Sequence, residues 1–240
     1  MSVFSQDGYA IRFDWGLEGL KALAPVSDVL IIVDVLSFST CVCVGVERGA
    51  SVYPFKYRDD RAMEFASQQG AILAGSRSGN SDISLSPRSL VKLKPGDKVV
   101  LPSPNGSHLS AECSTTQVLA GCLRNATAIA RASMNIGKVV AVIGAGERWK
   151  ETGLLRPAFE DLVGAGGIIH AINRSKSPEA LAAEAVFISS RGNLESLMRD
   201  CASGRQLIGM GYPEDVSFSA ELDVTRAVPI LRDGAYVSNV

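Results

Sequence analysis

Apolar positions in this chain fall into short, dense blocks separated by charged or glycine-rich stretches, the rhythm of alternating strands and helices. The densest early block, Val29 to Val33, is uninterrupted and mostly β-branched. Such a run suits a strand buried on both faces, which implies a parallel sheet covered by helices. Upstream, residues 10–15 alternate in the manner of an edge strand, and GLEGLKALAP reads as a short helix closed by Pro25. Downstream come a helix that starts after Ser37 and ends near Gly49, a strand over 50–55, the charged helix RDDRAMEFASQQG with Gly70 as its C-cap, and the strand AILAG.

Lys94-Pro95-Gly96-Asp97 marks a turn, after which KVVLPSPNGSHLSAEC predicts strand, tight turn and helix. Pro102 and Pro104 end that strand, Asn105-Gly106 makes the turn, and Ser107 or His108 begins the helix. QVLAGCL is a short strand, NATAIARASMNIG a helix, and KVVAVIGAGE the most apolar late strand. In LLRPAFEDLVGAGGIIHAI, Pro157 suits the first turn of a helix, and Gly164, Gly166 and Gly167 suit close packing more than catalysis. From Ser177 onward the pattern predicts a helix SPEALAAEA, a short strand VFISS, a helix NLESLMRDCASG and a polar C-terminal tail. The expected fold class is α/β, layered α/β/α around a largely parallel or mixed central sheet. Residues 1–240 form one compact unit or two closely packed subdomains.

Composition narrows this little. The 240 residues are 46% hydrophobic and 20% charged, enough apolar material for a sizeable core. The net charge of −1 gives no reason to expect nucleic acid or an acidic membrane as partner, so any anion must be held by local groups. The five cysteines have no CxxC pair, and MSVFSQDGYAIRFDWG has no basic-then-apolar signal, so a cytoplasmic protein is expected. No apolar run approaches the roughly 20 residues that span a bilayer.

Candidate chemistry starts with Asp34, which directly follows the 29–33 strand. Ligands in open parallel sheets bind beyond the carboxyl ends of the strands, so Asp34 is placed for a metal or phosphate site. The alternative is a cap for the helix that follows. The loop GSRSGNSDISLSP brings backbone amides and Arg77 to an anion, or is a solvated connector. The helix after Asn105-Gly106 offers amides and a dipole to an anion, and His108 either donates there or stands exposed and idle. Glu160 and Asp161 face a site or serve the helix dipole. Trp149 and Phe38 wall the site or pack.

Several known chemistries are excluded. GAGERW has Trp149 where the dinucleotide fingerprint needs its third glycine, and no Walker loop is present. Leu36 stands where a haloacid-type phosphatase needs its second Asp, and no cysteine has Arg six residues on.

In series, VDVLSFST with ERGA, GSRSG with LSP, SPNGS, Asn125-Ala126, GAGE with FEDLVGAG, and SGRQLIGMGYPEDVSFSAELD closing in VPIL and a DG turn resemble the 2-phosphosulfolactate phosphatase (ComB-type) family over roughly 29–234. The resemblance implies a Mg²⁺-dependent phosphatase that converts (R)-2-phospho-3-sulfolactate to sulfolactate on the coenzyme M route. It implies Asp34, Glu160 and Asp161 as the catalytic and metal carboxylates. The phosphate-binding candidates are Ser39, Thr40, Arg77, Asn105, Gly106, Ser107, His108 and Asn125. Ser37 and His108 stand where the family commonly carries Arg. The alternatives are a phosphatase of another phospho-2-hydroxy acid and a non-catalytic binder of a phosphorylated metabolite. The expected partner is a small anionic phosphorylated substrate, and the expected assembly a homodimer, common for α/β enzymes of this size.

Overall fold

A computed structural model describes residues 2–79, 81–113 and 116–239. In order, the elements are β1 (Ile11–Trp15), α1 (Gly16–Leu23), β2 (Val29–Val33), α2 (Phe38–Glu47), β3 (Ser51–Phe55), α3 (Asp60–Gln69), β4 (Ile72–Leu73) and α4 (Pro87–Leu90). There follow β5 (Lys98–Pro102), α5 (Gly106–Ala111), β6 (Gln117–Gly121), α6 (Ala126–Ile136), β7 (Val140–Gly144), β8 (Glu147–Arg148) and β9 (Leu155–Arg156). The chain ends with α7 (Phe159–His170), α8 (Pro178–Ser190), α9 (Leu194–Asp200), α10 (Ala202–Gly209), α11 (Pro213–Ser219), β10 (Pro229–Arg232) and β11 (Ala235–Ser238).

Among the described residues one nine-stranded sheet runs β1-β7-β2-β6-β10-β11-β3-β5-β4. The fold is thus α/β, with helices flanking a mixed, mostly parallel sheet. β1, β7, β2 and β6 form one parallel block and β3, β5 and β4 another. The antiparallel hairpin β10–β11 joins them, through Ile230 opposite Leu119 and Tyr236 opposite Val52.

Burial explains the Val29–Val33 pattern. All five residues are buried; Val29, Ile31 and Val33 join the apolar cluster that includes residues of α6, α7 and α8, while Leu30 and Ile32 join the one that includes residues of α1 and α2. α2 is apolar nearly all round and is buried from Phe38 to Val46, as a helix with no polar face must be. α7 and α8 approach closely at Gly166, where a Cβ would lie 2.1 Å from the Ala183 carbonyl oxygen. The glycines of this helix do pack. Among the described residues no helix is long and apolar enough to cross a membrane.

Four expectations need correction. VFISS is the second half of α8, because the helix capped by Ser177 continues and Phe187 is buried against Gly167. NLESLMRDCASG is two helices: the extended Cys201 ends α9 and caps α10, its sulfur accepting the Gly204 N–H at 3.3 Å. The C-terminal tail is no tail, since α11 and the hairpin follow and Tyr236 is fully buried with a 2.7 Å bond to Ser110. Pro157 precedes α7 rather than lying in its first turn.

Candidate active site

The site forms where the chain leaves β2. Oδ1 of Asp34 accepts the Phe38 N–H at the start of α2 (3.2 Å), and Oδ2 accepts the Gly106 N–H at the start of α5 (2.8 Å). One carboxylate therefore caps two helices, satisfying an orphan donor of each and meeting the positive end of each dipole. Position 106 must be glycine for this approach: a Cβ would sit 2.2 Å from Phe38 Cδ1 and 2.8 Å from Asp34 Oδ2. The capping reading of Asp34 is correct, and the same carboxylate also lines a cavity of about 250 Å³.

Asp161 is a second clamp. Its Oδ1 accepts the Val35 N–H and its Oδ2 the Gly146 N–H, both at 2.8 Å, so it ties the loop after β2 to the loop after β7. Its neighbour Glu160 is buried, and its carboxylate accepts from the Cys201 thiol at 3.5 Å. Glu147, at the start of β8, lines the cavity and accepts from Asn105 Nδ2 at 3.0 Å.

Burial, with neighbouring acid charges adding to it, raises the pKa of Asp34, Glu147 and Asp161. Burial pushes Asp34 up to about 6, partly offset by the Gly106 and Phe38 amides, with the Glu160 charge raising it further. Burial, then the charges of Asp34 and Glu160, push Glu147 up to about 7. The same three causes hold Asp161 well above the usual carboxylate range.

Two arginines line the same cavity. Arg77 donates from Nε to Asp215 Oδ2 at 3.1 Å and from Nη2 to Ser37 Oγ, while Ser86 Oγ donates to Asp215 Oδ1 at 2.6 Å. Arg58 lines the same cavity, as do Ser203 and Gln206 of α10. The loops after β2, β3 and β5 thus share one cavity although three antiparallel pairings separate β6 from β3.

Most of the expected phosphate ligands lie elsewhere. Ser39 Oγ accepts the Asp34 N–H (3.0 Å) and Thr40 Oγ1 donates to the Val35 carbonyl (2.8 Å), so both fasten the first turn of α2. Ser107 Oγ donates to the Leu101 carbonyl at 2.9 Å, and the Gly106 amide is taken by Asp34. Asn125 accepts the Cys122 N–H (2.9 Å) and donates to the Ala227 carbonyl (3.1 Å), bracing the turn after β6. Each is a buried polar group satisfied by backbone, as burial demands. His108 lies 3.4 Å from Glu112 and lines a neighbouring cavity of about 350 Å³ that shares Asn105 and Glu147. Phe38 packs edge-on to Tyr236, and Trp149 is half exposed beside Arg156. Asn80, in the loop with Arg77, lies outside the described residues.

Sequence reasoning missed Arg58, Glu147 and Asp215. Glu147 carried a signal, an acid at the exit of the most apolar late strand. Arg58 sits in the charged run YRDDR, where nothing distinguishes it. Nor did GAGE lead into a helix: Gly146, at φ 66°, turns the chain into the β8–β9 hairpin.

The donor set suits a hard divalent cation: buried carboxylate oxygens, with Asp34 and Glu147 lining one cavity. Among the described residues no three His, Cys, Asp or Glu side chains form a metal cage. Magnesium needs none, since it binds through one or two carboxylates, waters and substrate phosphate.

Comparison with known proteins points to one family. The family model for 2-phosphosulpholactate phosphatase matches residues 18–234. The 2-phosphosulfolactate phosphatase of Methanothermobacter thermautotrophicus is 31% identical over 210 residues, 87% of this chain and 88% of that protein. A probable 2-phosphosulfolactate phosphatase of Carboxydothermus hydrogenoformans is 28% identical over 83% of this chain and 84% of its own. One from Thermotoga petrophila is 24% identical over 90% and 96%. The chain belongs to the 2-phosphosulfolactate phosphatase family.

Proposed function

We propose that the chain hydrolyses (R)-2-phospho-3-sulfolactate to sulfolactate and phosphate with Mg²⁺. The observation that carries this reading is that Asp34, Glu147, Arg77 and Arg58 all line one cavity beyond β2. That cavity has the size and charge for a phosphate ester, and the names of the relatives support phosphosulfolactate as the substrate.

Asp34, which lines the cavity, would hold the cation, with the nearby Glu160 as second carboxylate; Asp161 does not line that cavity and bridges the Val35 and Gly146 amides instead. Bound there, Mg²⁺ would neutralise charge on the phosphoryl oxygens. Arg77, fixed by Asp215 and Ser37, presents a guanidinium to the same oxygens. Water adds to phosphorus as the bond from phosphorus to the C2 oxygen breaks. Glu147, with its pKa near 7, gives a proton to the leaving oxygen, and the proton shed by the water restores it. Direct attack is favoured over a phosphoaspartate because two amides fix the Asp34 carboxylate.

The test is phosphate release from (R)-2-phospho-3-sulfolactate and a panel of phospho-2-hydroxy acids, with Mg²⁺ and with EDTA. Release from phosphosulfolactate that EDTA abolishes is expected. Preference for another member would change the substrate. Tight ester binding without any release would make the chain a binding protein, and an acid-stable phosphoaspartate at Asp34 would replace direct attack.

A further inference from the structure

The two arginines of the cavity are not equivalent. Arg77 is neutralised within the protein: Asp215, itself buried, takes its Nε, and Ser86 holds Asp215 in place. Arg58, between β3 and α3, has no hydrogen bond or ion pair among the described residues. Its neighbour Asp59 is taken by Arg61, with Nε at 2.9 and 3.1 Å and Nη2 at 2.5 Å, and caps α3 through the Arg61 N–H. Arg58 also lines a second cavity, of about 410 Å³, whose walls include Ser76 and Pro102. It therefore stands on the boundary between the phosphate cavity and an adjoining space. Burial and the Arg77 charge lower its pKa, while the Asp34 charge raises it, as expected for a guanidinium facing the site without an acid of its own.

Charge decides where the rest of a substrate lies. Once the phosphate occupies the acid and cation side of the cavity, a further acid group is disfavoured beside Asp34, Glu147 and Glu160, whose charges already act on one another. The remaining direction is towards the unpaired guanidinium, whose planar fork matches a carboxylate or sulfonate. We infer that Arg58 is the specificity-determining residue of this site, binding the second anionic group of a phosphorylated hydroxy acid at the boundary of the two cavities. This rests on the phosphate-ester reading of the cavity, not on turnover.

Binding of two phosphonates that resist hydrolysis separates the two. 2-Methyl-3-phosphonopropanoate and isobutylphosphonate differ only in the carboxylate, and calorimetry measures each with wild type, Arg58→Ala and Arg58→Lys in Mg²⁺. Loss of one charge-assisted contact predicts roughly ten- to hundredfold weaker binding of the carboxylated compound by Arg58→Ala. Arg58→Lys recovers part of it, and isobutylphosphonate shifts by less than about twofold. That pattern supports the inference even if the chain releases no phosphate, an outcome that would remove only the phosphatase reading. Equal weakening of both compounds, or of neither, overturns it.

Discussion

The acidic and basic walls of the cavity are built on opposite rules. The acidic wall comes from the β1-β7-β2-β6 block, and its aspartates are tied down: Asp34 to two helix amides and Asp161 to two loop amides. The basic wall comes from loops after β3 and β4, and there one arginine is locked to a buried acid while the other has no partner among the described residues. Groups that define the geometry are held by backbone or by a buried counter-ion. The charge left uncommitted is the one available to discriminate between ligands.

The severest way to break this comparison is at Asp34. Asp34→Asn is expected to cost about 10³-fold or more in phosphate release, measured at saturating Mg²⁺. It also turns an NH₂ towards one of the two helix amides, Phe38 or Gly106, and the unmet donor is expected to lower stability by about 1–3 kcal/mol in urea titration. On the other wall, Arg77→Ala leaves Asp215 buried without its counter-ion and should destabilise the fold by about 3–5 kcal/mol. Arg58→Ala should leave the unfolding free energy from urea titration within about 0.5 kcal/mol of wild type, because no hydrogen bond or ion pair among the described residues is lost. Similar destabilisation by both would erase the distinction between a fixed and a free guanidinium.

Glu147→Gln sharpens the role of the acidic wall in proton transfer. Removing a general acid should slow release from alkyl phosphates about 10²-fold while barely affecting p-nitrophenyl phosphate, whose leaving group needs no proton. The smallest effect is on cation affinity. With Asp34 at about 6 against an ordinary 3.8, the folded chain holds more protons than the unfolded chain between those values. Stability without metal therefore falls as pH rises through that window. A cation must displace the same proton, so Mg²⁺ affinity by calorimetry should be roughly tenfold weaker at pH 5 than above pH 7.

Legibility in the sequence followed range of interaction. β2 and its exit acid were readable because burial on both faces leaves a continuous apolar run, and α3 because Asp59 and Gly70 signal its ends locally. The β10–β11 hairpin was missed because its two short strands pair with β6 and β3, more than a hundred residues away in the chain; the Asp233-Gly234 turn, with φ of 50° and 80°, was its one local sign. VFISS failed differently: β-branched residues favour strands locally, but an extended α8 buries Phe187 on Gly167. At the site, residue type pointed to oxygen-rich groups without saying which way they face. Ser39, Thr40, Ser107 and Asn125 face backbone, and only coordinates distinguish that from facing a ligand.

The most direct single measurement is the rate of phosphate release from (R)-2-phospho-3-sulfolactate by wild type and Asp34→Asn side by side in Mg²⁺. Turnover by wild type that falls at least about 10³-fold in a variant still folded by circular dichroism is the expected result. Equal rates in the two proteins, or no release by wild type under any metal condition, would contradict a hydrolytic centre built on Asp34.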